Sequence, residues 1–183
     1  MLQFDDVELT FSGHTLFQGA SFTLQKGERC GLVGRNGAGK STLIRLITGE
    51  MEPDRGAVSI PKHYRLGYLQ QHIQFGAATL LEEAARGLPE DEKDDLYKAE
   101  AILFGLGFTE DDLARPPTHF SGGFQLRLHL AKVLLARPQC LLLDEPTNYL
   151  DIVSMRWLKQ FLSRWQGEFI LISHDRDFMD SVT

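Results

Sequence analysis

Three short runs of apolar residues, at 29–33, 140–143 and 169–172, lie between turn-forming residues and carry no polar alternation. Runs of that length predict strands buried on both faces, as in a parallel sheet. The opening of the chain follows a different rhythm. Residues 2–10 predict a strand with Phe4, Val7 and Leu9 inward, and over 20–24 Phe22 and Leu24 alternate with Ser21 and Thr23. A period of two predicts a half-exposed antiparallel layer. Turns fall at Ser12-Gly13-His14, at 25–28 and at 52–56, and the pair 57–60 and 65–69 predicts a hairpin. From 77 to about 115 the pattern becomes helical. Leu80, Leu81, Ala84 and Ala85 mark one helix; Tyr97, Ala101, Ile102 and Leu106 mark a second, and the acidic stretch 89–95 between them reads as a solvated loop. A long helix over 123–136 is halted by Pro138. Asp151 is placed to cap another over 152–165, in which Trp157, Phe161 and Trp165 recur at helical spacing and read as core.

The run at 29–33 is followed by Gly34-Arg35-Asn36-Gly37-Ala38-Gly39-Lys40-Ser41-Thr42 and then by Leu43, Leu46 and Ile47 on one helical face. This is G-x-x-x-x-G-K-[ST] in the strand–loop–helix setting that the motif requires. Glycines let the backbone approach an anion, and its amides form a nest reinforced by the positive end of the next helix. Lys40 is expected to reach the β- and γ-phosphates of a nucleoside triphosphate, the Ser41 hydroxyl to ligate Mg²⁺, and Thr42 to bond the α-phosphate.

Composition narrows the setting. With 183 residues, 43% apolar and 24% charged, the chain is long enough for one domain with a substantial core. A net charge of −6 argues against a basic nucleic-acid footprint over the whole surface. Cys30 and Cys140 sit inside strand candidates and read as small buried hydrophobes, which fits a reduced, cytoplasmic setting. Residues 1–6 carry no signal-peptide pattern, and no run approaches a membrane span, so no direct membrane insertion is expected.

Two further stretches carry chemistry. Leu141-Leu142-Leu143-Asp144-Glu145 ends a buried strand in two acids: Asp144 is placed to hold the metal, and Glu145 to orient and deprotonate an attacking water. Ser121-Gly122-Gly123 opens a long helix and reads either as a second anion site or as ordinary capping by Ser121.

In order along the chain, Gly34–Thr42, Ser121-Gly122-Gly123, the strand ending at Asp144-Glu145, and Ser173-His174-Asp175 resemble the Walker A loop, signature, Walker B strand and switch histidine of an ATP-binding cassette. The resemblance covers nearly the whole chain. It implies an α/β P-loop ATPase with an antiparallel β-layer and a helical subdomain, divided as a core (1–75 and 136–183) and a helical unit (76–135), with ATP and Mg²⁺ as ligands. It also implies roles for single residues. Gln71 matches the glutamine that bonds Mg²⁺ and the attacking water, with Gln70 the alternative register. Asp151 matches the acid that follows the Walker B strand, and His174 the γ-phosphate contact. Phe11 stands where an aromatic stacks on adenine, or is a core phenylalanine at a strand end. The wording of Glu145-Pro146-Thr147-Asn148-Tyr149-Leu150-Asp151 and Ser173-His174-Asp175-Arg176-Asp177-Phe178 is similar to the F subfamily's E-P-T-N-H-L-D and S-H-D-R-x-F, with Tyr149 in place of the histidine. Phe124 stands where the transporter form of the signature has glutamine. That subfamily implies tandem cassettes acting on ribosome and tRNA, of which this chain would be the first. The other expectations are an ATPase subunit of a transporter, and a module that binds ATP without turnover.

Overall fold

The computed structural model describes residues 1–68 and 75–183. Two sheets share the core. The first is antiparallel, in the order β2-β1-β4, from β1 (Leu2–Phe11), β2 (His14–Leu24) and β4 (Arg55–Ser59). The second is parallel, in the order β3-β7-β6-β5, from β3 (Arg29–Leu32), β5 (Leu66–Tyr68), β6 (Cys140–Asp144) and β7 (Glu168–Ile172). The helices are α1 (Lys40–Thr48), α2 (Leu80–Ala85), α3 (Leu96–Gly105), α4 (Gly122–Leu135), α5 (Ile152–Ser163) and α6 (Arg176–Asp180).

Alternation along β6 and β7 explains why residues 140–143 and 169–172 are apolar throughout. Cys140, Leu142, Ile170 and Ile172 face the cluster built by the β-layer and α1, with Phe4, Val7, Ile44 and Ile47. Leu141, Leu143, Phe169 and Leu171 face the helical side, with Leu80, Leu103, Leu128 and Leu158. A strand covered on both faces has no polar positions to reveal its period.

One expectation is corrected. The segments at 57–60 and 65–69 do not form a hairpin. Strand β4 pairs antiparallel with β1 (Phe4 opposite Val58), whereas β5 pairs parallel with β6 (Leu66 opposite Cys140), so adjacent strands go to different sheets. The second expected helix is α3; of its expected apolar residues Ile102 packs against the core and Leu106, just past its end, is buried, beside Ala99 and Leu103, while Tyr97 is 63% exposed. The helix is apolar on more than one side, so periodicity alone does not single out the buried one. Two strand limits also move: β2 begins at His14 rather than 20, and Val33 lies outside β3 and exposed. No helix among the described residues is long and apolar enough to cross a membrane.

Candidate nucleotide site

Among the described residues, three of the four parallel strands deliver candidate chemistry at their C-terminal ends, where open α/β sheets place their ligands. Strand β3 runs into the glycine-rich loop, β6 ends at Asp144-Glu145, β7 is followed by Ser173-His174, and β5 leads into 69–74. The candidates Gln70 and Gln71 lie outside the described residues.

Gly34 to Ala38 are exposed, and Gly39 caps α1 with φ 90. The Ala38 amide donates to Arg35 O at 3.1 Å, which closes the loop on itself. Lys40 is the first residue of α1. Its ammonium lies back over the loop, donating to Gly34 O at 2.9 Å and to Arg35 O at 3.1 Å. Ser41 Oγ donates to Asp144 Oδ2 at 2.7 Å, so the two predicted metal-binding groups meet across 103 positions of sequence. Their hydroxyl and carboxylate oxygens are the hard donors Mg²⁺ takes. No group of three or more His, Cys, Asp or Glu that could by itself hold a metal ion lies among the described residues. The oxygen pair fits an ion that completes its shell with phosphate and water.

Glu145 has a left-handed backbone (φ 49, ψ 50), a conformation non-glycine residues seldom adopt and one that recurs at functional sites. Its amide donates to Ile172 O at 2.9 Å, which anchors the turn to β7. Its Oε2 accepts from the His174 amide at 3.2 Å, and its Oε1 lies 3.2 Å from His174 Nε2. Glu145 and His174 are thus neighbours at the ends of adjacent strands. Asp175 caps α6 by accepting from the Phe178 amide at 2.9 Å, which holds the histidine's own turn in place.

Ser121 occupies the N-cap position of α4 without a side-chain capping bond. The space where a Cβ would stand on Gly122 or Gly123 is open to 4 Å. Capping by the Ser121 hydroxyl is therefore not what the residue does here. Phe124 packs edge-on against Phe108 (5.2 Å between ring centres), and the Arg127 guanidinium lies 4.6 Å from its centre. Gln125 donates to Phe120 O at 3.1 Å and so braces the turn before the helix. Phe11, 53% exposed at the end of β1, is not a core phenylalanine.

Asp151 is committed twice. Its Oδ1 accepts from the Ser154 amide at 2.9 Å, the helix cap the sequence predicts, and its Oδ2 accepts from Arg127 Nη1 at 3.0 Å. The amide first, and then the guanidinium, hold the carboxyl below the usual aspartate range. The same guanidinium nitrogen also donates to Leu106 O at 3.0 Å. Sequence reading missed Arg127, because one arginine in a long helix has no spacing that announces its partners.

A cavity of about 1010 Å³ lies elsewhere. Tyr64, Gln139 and Glu168 put it at the N-terminal ends of the parallel strands, and Trp157, Phe161 and Trp165 form one wall. These aromatics are packed against the core yet only partly buried.

The family described as ABC transporter matches residues 17–148. The chain belongs to that family: it is an ATP-binding cassette, and cassettes of the family bind ATP with Mg²⁺ and hydrolyse it. It is 38% identical over 223 aligned residues to the Bacillus subtilis (strain 168) protein named Uncharacterized ABC transporter ATP-binding protein YfmM, covering 100% of this chain and 43% of that one. It is 35% identical over 212 residues to Probable ATP-binding protein YheS of Escherichia coli (strain K12), covering 100% and 33%. The chain thus spans well under half the length of these relatives. A solved structure described as the ATP binding subunit of an ABC transporter superposes with a TM-score of 0.84 at 26% identity, covering 100% of this chain and 82% of that one.

Proposed function

We propose that this cassette hydrolyses ATP through Glu145, as one half of a tandem pair of the F subfamily that acts on the ribosome. The observation that carries the chemistry is the meeting of two pairs, Ser41 with Asp144 and Glu145 with His174, at the ends of neighbouring strands. Lys40 and the amides of 34–42 bind the β- and γ-phosphates; Ser41, Asp144 and Gln71 hold Mg²⁺, which when bound neutralises phosphate charge. Glu145 orients the attacking water and takes its proton, with His174 beside it towards the γ-phosphate. Phe11 faces solvent and is available to stack on adenine. Residues 76–135 form the helical subdomain around Leu80, Leu103 and Leu128; 1–75 and 136–183 form the core. Ser121, Gly122 and Gly123 of a second cassette close over the γ-phosphate held by Lys40, and Asp151 lies at that seam.

The wording of 145–151 and 173–178 supports the subfamily, as do relatives named as ATP-binding proteins and long enough for a second cassette. The proposed setting is cytoplasmic, with ribosome and tRNA as partners of the whole protein. A transporter subunit is the second reading, favoured by the likeness to the ATP binding subunit. Sedimentation of the tagged, full-length protein with ATP and Glu145→Gln separates them. Recovery with ribosomes is the expected result; recovery with membranes alone refutes the ribosomal reading.

A further inference from the structure

The aromatic-walled cavity lies apart from the nucleotide groups. Glu168 opens β7 at the cavity, and the same strand ends at Ile172, two positions before His174. Five residues of strand put roughly 15 Å between its two ends. A volume of about 1010 Å³ is room for a small molecule, since such pockets run to about 300–1,000 Å³. Its wall is a ladder along α5. Trp157 and Phe161 stack at 5.2 Å between ring centres, 27° from parallel, and Phe161 meets Trp165 at 5.8 Å. Steps of four residues put the three rings on one face of the helix, and each is only partly buried. Rings presented in this way take a planar partner.

Charge then restricts what that partner carries. Four cations line the cavity, Lys26, Lys98, Arg137 and Arg164, against one acid, Glu168. Lys98 is held by Glu92 at 2.9 Å and by Asp95, and Arg137 by Glu92 at 2.9 Å. Glu168 is buried and committed: its Oε2 accepts from the Tyr64 hydroxyl at 2.7 Å and its Oε1 from the Gly27 amide at 2.9 Å. Lys26 and Arg164 are exposed and enter no ion pair among the described residues. In a chain of net charge −6, two cations left without acids at one cavity select an anion.

We propose that this cavity binds a small planar aromatic anion, its rings against Trp157, Phe161 and Trp165 and its charged group towards Lys26 and Arg164. It lies apart from the proposed nucleotide site and stands whether or not that site hydrolyses ATP. The rings supply affinity through buried apolar area, and the cations supply the preference for an anion over its neutral counterpart.

Anilinonaphthalene sulfonate is the probe, with phenyl-naphthylamine supplying the same rings without the sulfonate. Titration calorimetry on this chain and on the full-length protein should give one sulfonate site with Kd of about 10–100 µM, and the neutral probe should bind at least about tenfold more weakly. Lys26→Gln combined with Arg164→Gln, both at exposed positions, should bring the sulfonate down to the neutral probe's affinity and leave the neutral probe unaffected. Trp157 and Trp165 are the only tryptophans of the chain, so their fluorescence reports the wall directly. Bound sulfonate should shield each from acrylamide, read singly in Trp165→Phe and Trp157→Phe. Equal affinity for the two probes overturns the proposal, as does a double variant that keeps the parent's preference. Displacement by β,γ-imido-ATP with Mg²⁺ puts the probe in the nucleotide site and refutes it too. Binding to this chain that the full-length protein lacks assigns the cavity to other parts of that protein, and binding lost as concentration rises assigns it to a second copy; either result overturns the small-molecule site.

Discussion

Adding one methyl group to the phosphate loop at two neighbouring glycines separates backbone strain from steric conflict. Gly37 and Gly39 both have positive φ, 81 and 90. Around a Cβ on Gly37 nothing lies within 4 Å, whereas a Cβ on Gly39 would stand 3.1 Å from Phe17 Cζ and 3.6 Å from Leu16 Cβ. A left-handed alanine costs about 1–2 kcal/mol, and the loss of chain freedom in the unfolded state returns about 0.4–1 kcal/mol. Gly37→Ala should therefore destabilise by about 0.5–1 kcal/mol, and Gly39→Ala by about 1 kcal/mol more for the crowded ring. For a chain of this size each kcal/mol lowers Tm by roughly 2–4 °C. Differential scanning calorimetry should find Gly39→Ala the less stable by that interval, and Phe17→Leu in the same chain should recover most of the difference. Equal Tm values for the two alanine variants, or no recovery on trimming Phe17, would refute the account of the loop's packing.

Glu145→Gln keeps the side chain's shape and its contact with the His174 amide but removes the base. ATP affinity by calorimetry should hold while turnover in the full-length protein falls about 10²-fold, and undiminished turnover would move the base elsewhere. The specific activity of the isolated chain should rise with its concentration if, as proposed, half of the charge stabilisation comes from a second cassette. A high rate, flat with concentration, in a species monomeric by light scattering contradicts the composite site. Acid stability follows from Glu83. Burial pushes its carboxyl upward, but Lys132 and the amides of Gly76 and Ala77 outweigh this and hold it below the usual glutamate range. A depressed folded-state value gives stability that is full above the unfolded value near 4.3 and is lost as pH falls through the folded one. Thermal unfolding should accordingly show Glu83→Gln less stable at pH 7 with a shallower decline below about pH 4.5, and parallel curves would dismiss the assignment.

Much of the site could be read from sequence because its chemistry is local. Residues 34–42 and 141–145 each hold their functional groups within a few positions of a strand end. What escaped is carried by single residues whose partners are far away. Arg127 finds Asp151 24 positions on, and Lys132 finds Glu83 49 positions back. Strand order escaped for a related reason. The segments at 57–60 and 65–69 are close enough for a hairpin, and only the register of β4 on β1 and β5 on β6 sends them to separate sheets. In and just after α3 only packing shows that Leu103 and Leu106 are buried while Tyr97 and Ala101 are exposed.

The left-handed backbone at Glu145 sets heat resistance against turnover at a single codon. Glycine adopts that conformation without penalty and asparagine with little, while glutamate is held there by the strand ends around it. Selection of randomised residue 145 for survival at high temperature would thus favour glycine or asparagine, and every such survivor would have lost the carboxylate. Stabilising this cassette by consensus or library methods therefore calls for fixing residue 145 beforehand, since the most rewarding change for the fold there is the one that removes the proposed base.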